Sequence, residues 1–280
     1  MKTVVPDYYA GFRCIAGACK HSCCAGWEVD IDEDSLARYQ TIPEIKRHIS
    51  EEDVPHFVLQ EDRCPFLRSD NLCRMILDYG EDMLCQICTD HPRFRNFWTD
   101  RVETGLGLAC EAAAGIILSQ KEPLALFEVD ELQGTKKQQR EDDYAGLPED
   151  EVWLMNVRKD LLRMSHEERV SLWNLLRANH EQFESLPDEI CSAFTSNLPQ
   201  ALQEPADRFW EYLVYRHIAD ALYYDDFDER TAFIVWSYQT VLIAWLQSDG
   251  SFETVAEIAR DFSNRYEYNT EKMESFGCGK

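Results

Sequence analysis

The chain has 280 residues, 45% hydrophobic and 29% charged, enough for one large domain or two ordinary ones with a sizeable core. Its net charge of −24, from 28 Lys+Arg against 52 Asp+Glu, repels phosphate backbones and argues against nucleic acid as a partner. No run nears the ~18 apolar residues of a membrane span, and the start Met-Lys-Thr-Val-Val-Pro lacks a signal-peptide core, so a cytoplasmic protein with no membrane contact is expected.

Taken in order, residues 5–13 read as an extended lead-in to the first cysteines. Glu28-Val-Asp-Ile alternates as a short strand would, and Asp32 or Asp34 is placed to cap a helix over Ser35–Tyr39. Pro43 breaks or restarts that helix, and residues 58–68 suit an extended or hairpin segment. Pro92 biases His91 away from the α region, so a helix holding Cys85 and Cys88 should end there. Residues 102–109 read as a strand leading into Cys110, and Glu111 opens a helix with an acid in its first turn. Residues 130–149 have almost no apolar content. Beyond them the pattern is helical. Ser165-His-Glu-Glu168 is a capping box, Phe209–Leu222 carry an i, i+3, i+4, i+7 apolar stripe, Thr231–Leu246 are apolar on nearly all sides, and Ser251 opens a last helix through Phe262.

The chemistry is concentrated in the thiols. Nine of the eleven cysteines lie between residues 14 and 110: Cys14, Cys19, Cys23, Cys24, Cys64, Cys73, Cys85, Cys88 and Cys110. Disulfides are poorly motivated in a reducing compartment and in a chain this long, which leaves zinc or iron–sulfur as the reason for the cluster. All nine are candidate metal ligands, because thiolates select soft metals. Nine thiols supply two four-thiolate sites with one to spare, or one cluster with buried thiols beside it. Adjacent Cys23 and Cys24 should diverge, so that one faces away or the pair serves two centres. Cys191 reads as core and Cys278 as a thiol on a frayed tail.

Around the thiols, Arg13 and Arg93 are cofactor-binding candidates, able with Arg95 to offset a cluster's negative charge or grip a carboxylate. His91 fits a hydrogen-bonded support for the Pro-Arg turn, and His21 a ligand or a solvent-facing group. Trp27, Trp98 and Tyr79 are candidates to wall the centre from solvent. Tyr212, Tyr215, Tyr223 and Tyr224, with Asp225 and Asp226, are candidates to line a lysine-accepting cleft. No residue stands out as catalytic. Thr104-Gly-Leu-Gly-Leu is the sole glycine-rich turn and lacks the rest of a nucleotide-binding pattern.

The order Arg13-Cys14-Ile-Ala-Gly-Ala-Cys19-Lys-His-Ser-Cys23-Cys24-Ala-Gly-Trp27, then Cys64-Pro-Phe-Leu, Leu72-Cys73, Cys85-Gln-Ile-Cys88, His91-Pro-Arg93 and Cys110-Glu-Ala-Ala, resembles the flagellin lysine-N-methylase family of cysteine-rich zinc- or iron-chelating proteins. The resemblance implies S-adenosyl-L-methionine-dependent methylation of lysine side chains on a flagellin-like protein, with a [4Fe–4S] cluster in the cysteine region and zinc as the alternative metal. His91 stands where many relatives carry tyrosine.

The expected architecture is mostly α: an irregular cysteine-rich α+β metal-binding domain over 1–127 packed on an all-α helical domain over 150–280, with 128–149 a linker or exposed loop. The rival functions are a non-catalytic zinc- or iron-chelating or sensing protein, and another cluster enzyme acting on a peptide or small molecule.

Overall fold

The computed structural model describes residues 1–50, 52, 54–130, 135–138, 144, 146–177 and 198–279, the side chains of 130 and 135–138 excepted. Its described strands are β1 (Lys2–Pro6), β2 (Ile49–Ser50), β3 (His56–Phe57), β4 (Arg93–Phe97), β5 (Arg101–Leu106), β6 (Leu126–Asp130) and β7 (Thr135–Gln138). Two units emerge, one of Met1–Phe12, Phe94–Ala109 and Ala113–Lys280, the other of Arg13–Arg93 with Cys110–Ala112.

The first unit holds a mixed five-stranded sheet in the order β4-β5-β1-β6-β7. β1 runs parallel to β5, with Val4 opposite Glu103, and antiparallel to β6, with Val5 opposite Phe127. Val4 and Val5 are both buried, as befits a central strand covered on both faces. Gly105 of β5 is required by packing: a Cβ there would lie 2.3 Å from the Phe94 ring and 2.9 Å from Tyr215.

This sheet redraws the expected boundaries. Residues 1–12 and 94–109 group with the helices rather than with the cysteines. The stretch read as a linker contributes β7 and most of β6, with Phe127 opposite Gln138. Thr-Lys-Lys-Gln carries no apolar alternation, and an edge strand needs none because its backbone supplies the pairing. Residues 131–134, 139–143 and 145 of the expected linker lie outside the described residues.

The helical part follows its apolar periodicity. Helices span Glu149–Leu162, His166–Arg177, Gln200–His217, Phe227–Leu246, Phe252–Phe262 and Thr270–Ser275. The Ser165 capping box forms in both directions, Ser165 N–H to Glu168 at 2.7 Å and Glu168 N–H to Ser165 Oγ at 3.3 Å. Phe227–Leu246 is the central helix, buried along nearly its whole length. Its Tyr238 and Trp245 meet Trp210 and Phe209 of the Gln200–His217 helix at ring-centroid separations of 5.2 and 5.6 Å. Ser251 caps the next helix by accepting from Thr254 N–H. No described helix is long and apolar enough to cross a membrane.

Two charged clusters are sealed in this unit. Glu103 is fully buried and accepts from Arg158 at 2.5 and 3.0 Å and from Arg101 at 3.1 Å. Arg158 in turn lies 5.0 Å from the Trp98 ring. Glu267 accepts from Tyr212 at 2.9 Å, meets His217 Nε2 at 2.5 Å and lies 3.4 Å from Arg216.

Cys278 corrects the expectation of a frayed thiol. It is 2% exposed, beneath a tail in which Gly279 N–H donates to Asp226 and Phe276 packs 4.6 Å from Trp236. The sequence hides this because three residues after a short helix look like a tail until Gly277, at φ +84°, turns them inward. Cys191 lies outside the described residues.

The second unit is built from short pieces: helices Glu33–Tyr39, Pro43–Lys46, Arg74–Tyr79 and Gln86–Asp90, and the pair β2–β3. Glu28–Ile31 is not a ladder strand; Asp30 makes a single bridge to His56. The unit's core combines Val29, Ile31, Tyr39, Ile45, Phe57, Phe66 and Met75 with Cys64 and Cys85. Phe57 stands 5.6 Å from Tyr39 and 5.1 Å from Phe66, and Tyr39 Oη donates to the Met83 carbonyl at 2.5 Å.

Candidate metal centre

None of the ten described cysteines forms a disulfide. All nine clustered cysteines lie in the second unit. Backbone ties decide where each one goes. Cys64 N–H donates to the Cys24 carbonyl at 2.8 Å, next to a bridge between Ala25 and Arg63. The chain then turns over residues 67–73, where the Asp70 carboxylate accepts from Leu72 N–H and Arg68, and Leu67 bridges Cys73. Cys85 caps the Gln86–Asp90 helix, placing Cys88 three residues on and on the same face. That helix ends at His91, as Pro92 requires.

Asp32 holds this arrangement from outside the thiol set. One oxygen caps the Glu33–Tyr39 helix through Ser35 N–H at 2.9 Å, and the other accepts from Gln86 N–H at 2.8 Å. Its desolvation is outweighed by the Gln86 and Ser35 donors, so its pKa is lowered. Asp32→Ala should cost about 1–2 kcal/mol, a helix cap's usual worth. It should also speed amide exchange at Gln86 and Thr89; urea melts and exchange both unchanged would contradict this role.

At the other end of the set, Glu111 binds the Cys19 loop. Its carboxylate accepts from Lys20 N–H at 2.7 Å and lies 3.5 Å from Cys19 Sγ. The sequence reading saw Glu111 only as a helix-opening acid, and no local pattern links it to a loop 91 residues earlier.

The thiols are turned to one another. Cys23 donates to Cys24, which raises Cys23 and lowers Cys24 to about 7; Cys88 donates to Cys85 with the same effect, Cys88 up and Cys85 down. Of the adjacent pair, Cys23 is exposed while Cys24 packs against the unit's core. Burial pushes Cys64 up to about 12 and Cys19 to about 11, and raises Cys73. Filling such a site with metal expels protons, so affinity rises with pH.

The donor chemistry suits a thiophilic metal. The described residues, as placed, contain no group of three or more His, Cys, Asp or Glu side chains arranged to hold a metal ion. The fit is therefore one of donor type and gathering rather than of a closed shell.

Of the other candidates, Arg13 is exposed at the start of the unit, and Arg93, at the end of its main segment, donates to the Thr89 carbonyl at 3.2 Å. Trp27 joins the partly buried rim of the core and donates to the Cys23 carbonyl at 2.9 Å. Tyr79 is exposed, and Trp98 belongs to the other unit beside Arg158. The tyrosine cleft is not formed as expected: Tyr212 and Tyr215 are buried core, Tyr223 is 83% exposed, and Asp226 is engaged by Arg230 and Gly279.

Set beside known proteins, the chain is similar to lysine-N-methylases, in agreement with the resemblance carried by its cysteine order. Two of them, from Salmonella typhimurium and Salmonella choleraesuis, are 26% identical over 145 residues, covering 46% of this chain and 36% of theirs. The flagellar biosynthetic protein FliU of Salmonella muenchen is 26% identical over 138 residues, covering 44% of this chain and 80% of FliU. The alignment thus takes in little more than a third of the length of the two lysine-N-methylases. No protein-family profile matches the chain, and no solved structure does.

Proposed function

We propose that the chain acts in protein lysine N-methylation, with S-adenosyl-L-methionine as donor, a flagellin-like protein as acceptor and a cysteine-ligated iron–sulfur centre in the thiol unit. The observation that carries the reading is the alignment to proteins described as lysine-N-methylases. The gathering of nine thiols into one unit supports the metal part of it. A bound cluster would supply an iron able to chelate the donor's amino and carboxylate groups, and its ligands would come from the nine clustered cysteines. Arg13 and Arg93 would offset the negative charge that thiolates bring. The chain's net charge of −24 favours approach of a lysine-bearing surface and weakens with salt.

Anaerobically purified chain, incubated with methyl-labelled donor and flagellin, should transfer label to lysine in the protein acceptor. Transfer should fall steeply with ionic strength and vanish when the thiols are alkylated. Metal-loaded chain that transfers nothing to any flagellin would sink the reading. The rival, a zinc- or iron-chelating protein without catalysis, draws on the burial of Cys64 and Cys85, since structural sites are closed to solvent.

A further inference from the structure

A cavity of about 600 Å³ opens in the helical part of the first unit. It lies at the turn between the Glu149–Leu162 and His166–Arg177 helices, against the Gln200–His217 helix. That volume is within the ~300–1,000 Å³ range of small-molecule sites. Its buried wall is ionic: Arg169, Arg208 and Glu211 line it from inside the fold, and Asp207, 46% exposed at its side chain, lines it with them. Arg169 Nη1 donates to Asp207 Oδ1 at 2.7 Å and to Tyr238 Oη at 3.1 Å, and the guanidinium lies 5.2 Å from the Trp210 ring. Arg208 Nη2 stands 3.0 Å from Glu211 Oε1, and Leu124 N–H donates to Glu211 Oε2 at 3.1 Å. Each arginine thus meets its carboxylate through one nitrogen, where a matched carboxylate takes two. Arg169 Nε and Arg208 Nε are buried without a hydrogen-bond partner. Burial raises the Glu211 pKa to about 7 even with Arg208 beside it, so that carboxylate gains from a further cation. Leu162, Met164 and Leu198 give the rest of the cavity an apolar surface.

We propose that this cavity binds a small molecule ending in an α-amino carboxylate, with Arg169 and Arg208 taking the carboxylate and Asp207 and Glu211 the ammonium. A plain anion would compete with Asp207 for Arg169 and face Glu211 as a like charge. A plain cation would face two buried guanidiniums. A head carrying both charges gives each of the four groups an added partner, and the apolar remainder of the cavity takes the body of the ligand. Two sources share this chemistry, a free amino acid and the amino-acid end of an S-adenosyl compound. The proposal is independent of the metal reading, since no cysteine lines the cavity.

The test is a thermal-shift screen of the full chain at pH 7 against each proteinogenic L-amino acid and S-adenosyl-L-homocysteine, with every hit measured by calorimetry. At least one should raise the melting temperature and bind one to one. Its deaminated and decarboxylated analogues should each bind about tenfold more weakly or worse, because each leaves charged groups of the cavity unmatched. Asp207→Asn, at a half-exposed position, should keep native circular dichroism and weaken binding by about tenfold. Arg169→Lys should also weaken it, since an ammonium keeps the charge and loses the fork. A hit among free amino acids defines an amino-acid site. A hit confined to S-adenosyl-L-homocysteine moves the methyl donor's grip from an iron to these arginines. No hit, a hit whose analogue lacking either charge binds equally well, or a hit untouched by Asp207→Asn overturns the proposal. Methyl transfer to flagellin is measured separately and stands or falls on its own.

Discussion

Glu103→Gln is expected to lower the stability of the folded chain by about 3–5 kcal/mol, the range for removing one partner of a buried ion pair. Glu103 sits on β5 at 0% exposure between Arg101 and Arg158, each itself nearly inaccessible. Burial alone would raise its pKa, but Arg158 and then Arg101 hold it below the usual carboxylate range, so the group is charged in the fold. Glutamine keeps the shape and removes the charge, leaving buried Arg158 without this counter-ion and buried Arg101 with Asp100 at 3.4 Å. Urea denaturation followed by far-UV circular dichroism measures the loss, and a change under about 0.5 kcal/mol would contradict it. The triple variant Arg101→Met/Glu103→Leu/Arg158→Met should recover much of that loss, because replacing the buried ionic cluster whole avoids the unpaired charge.

Acidification should unfold the helical part through Glu267. Burial works against its ionised form, yet Arg216 and His217 bring it down to about 2, against an ordinary value of 4.5. A carboxylate depressed in the fold contributes stability that is complete above about 4.5 and is lost as pH falls towards 2, here on the order of 3 kcal/mol. His217 acts in the same direction. Burial is the main cause of its lowered pKa, so the fold favours neutral imidazole and loses stability as pH drops below the ordinary 6.5. Thermal melts from pH 7 to pH 3 should therefore show a steep fall for wild type. Glu267→Gln should start lower at pH 7 and fall less steeply between pH 5 and 3. Parallel curves would show that this carboxylate does not govern acid lability.

How much of this was legible in the sequence depended on whether the signal was local. The helix after Ser165, the buried helix ending at Leu246 and the stop at Pro92 each carry their cause within a few residues, and each forms where read. The sheet was not legible as a sheet. β1 is five residues ending in a proline, and its partners β5 and β6 lie roughly 100 and roughly 120 residues away. β7 is polar because an edge strand gains nothing from apolar alternation. The nine thiols were legible as a group through their clustering, but the distant ties that place them were not. Nothing in Cys14 to Cys24 announces that Glu111 will hold one part of the loop while Cys64 holds its end. Asp32 was legible as a helix cap and not as the acceptor for Gln86, 54 residues on.

The parallel pairing of β1 with β5 also has a consequence for biosynthesis. Lys2–Pro6 leaves the ribosome well before its neighbour Arg101–Leu106, which follows only after the whole Arg13–Arg93 segment has been made. Closing that loop costs entropy that local contacts do not repay, so Val4 and Val5 wait unpaired until Arg101–Leu106 has been made. The last clustered cysteine, Cys110, then arrives four residues after the strand that closes the sheet. Completion of the thiol set and docking of the first strand therefore fall at the same moment of synthesis. A nascent chain stalled before residue 101 should hold eight of the nine thiols and an unpaired Lys2–Pro6 segment, the kind of incompletely paired species that chaperones bind.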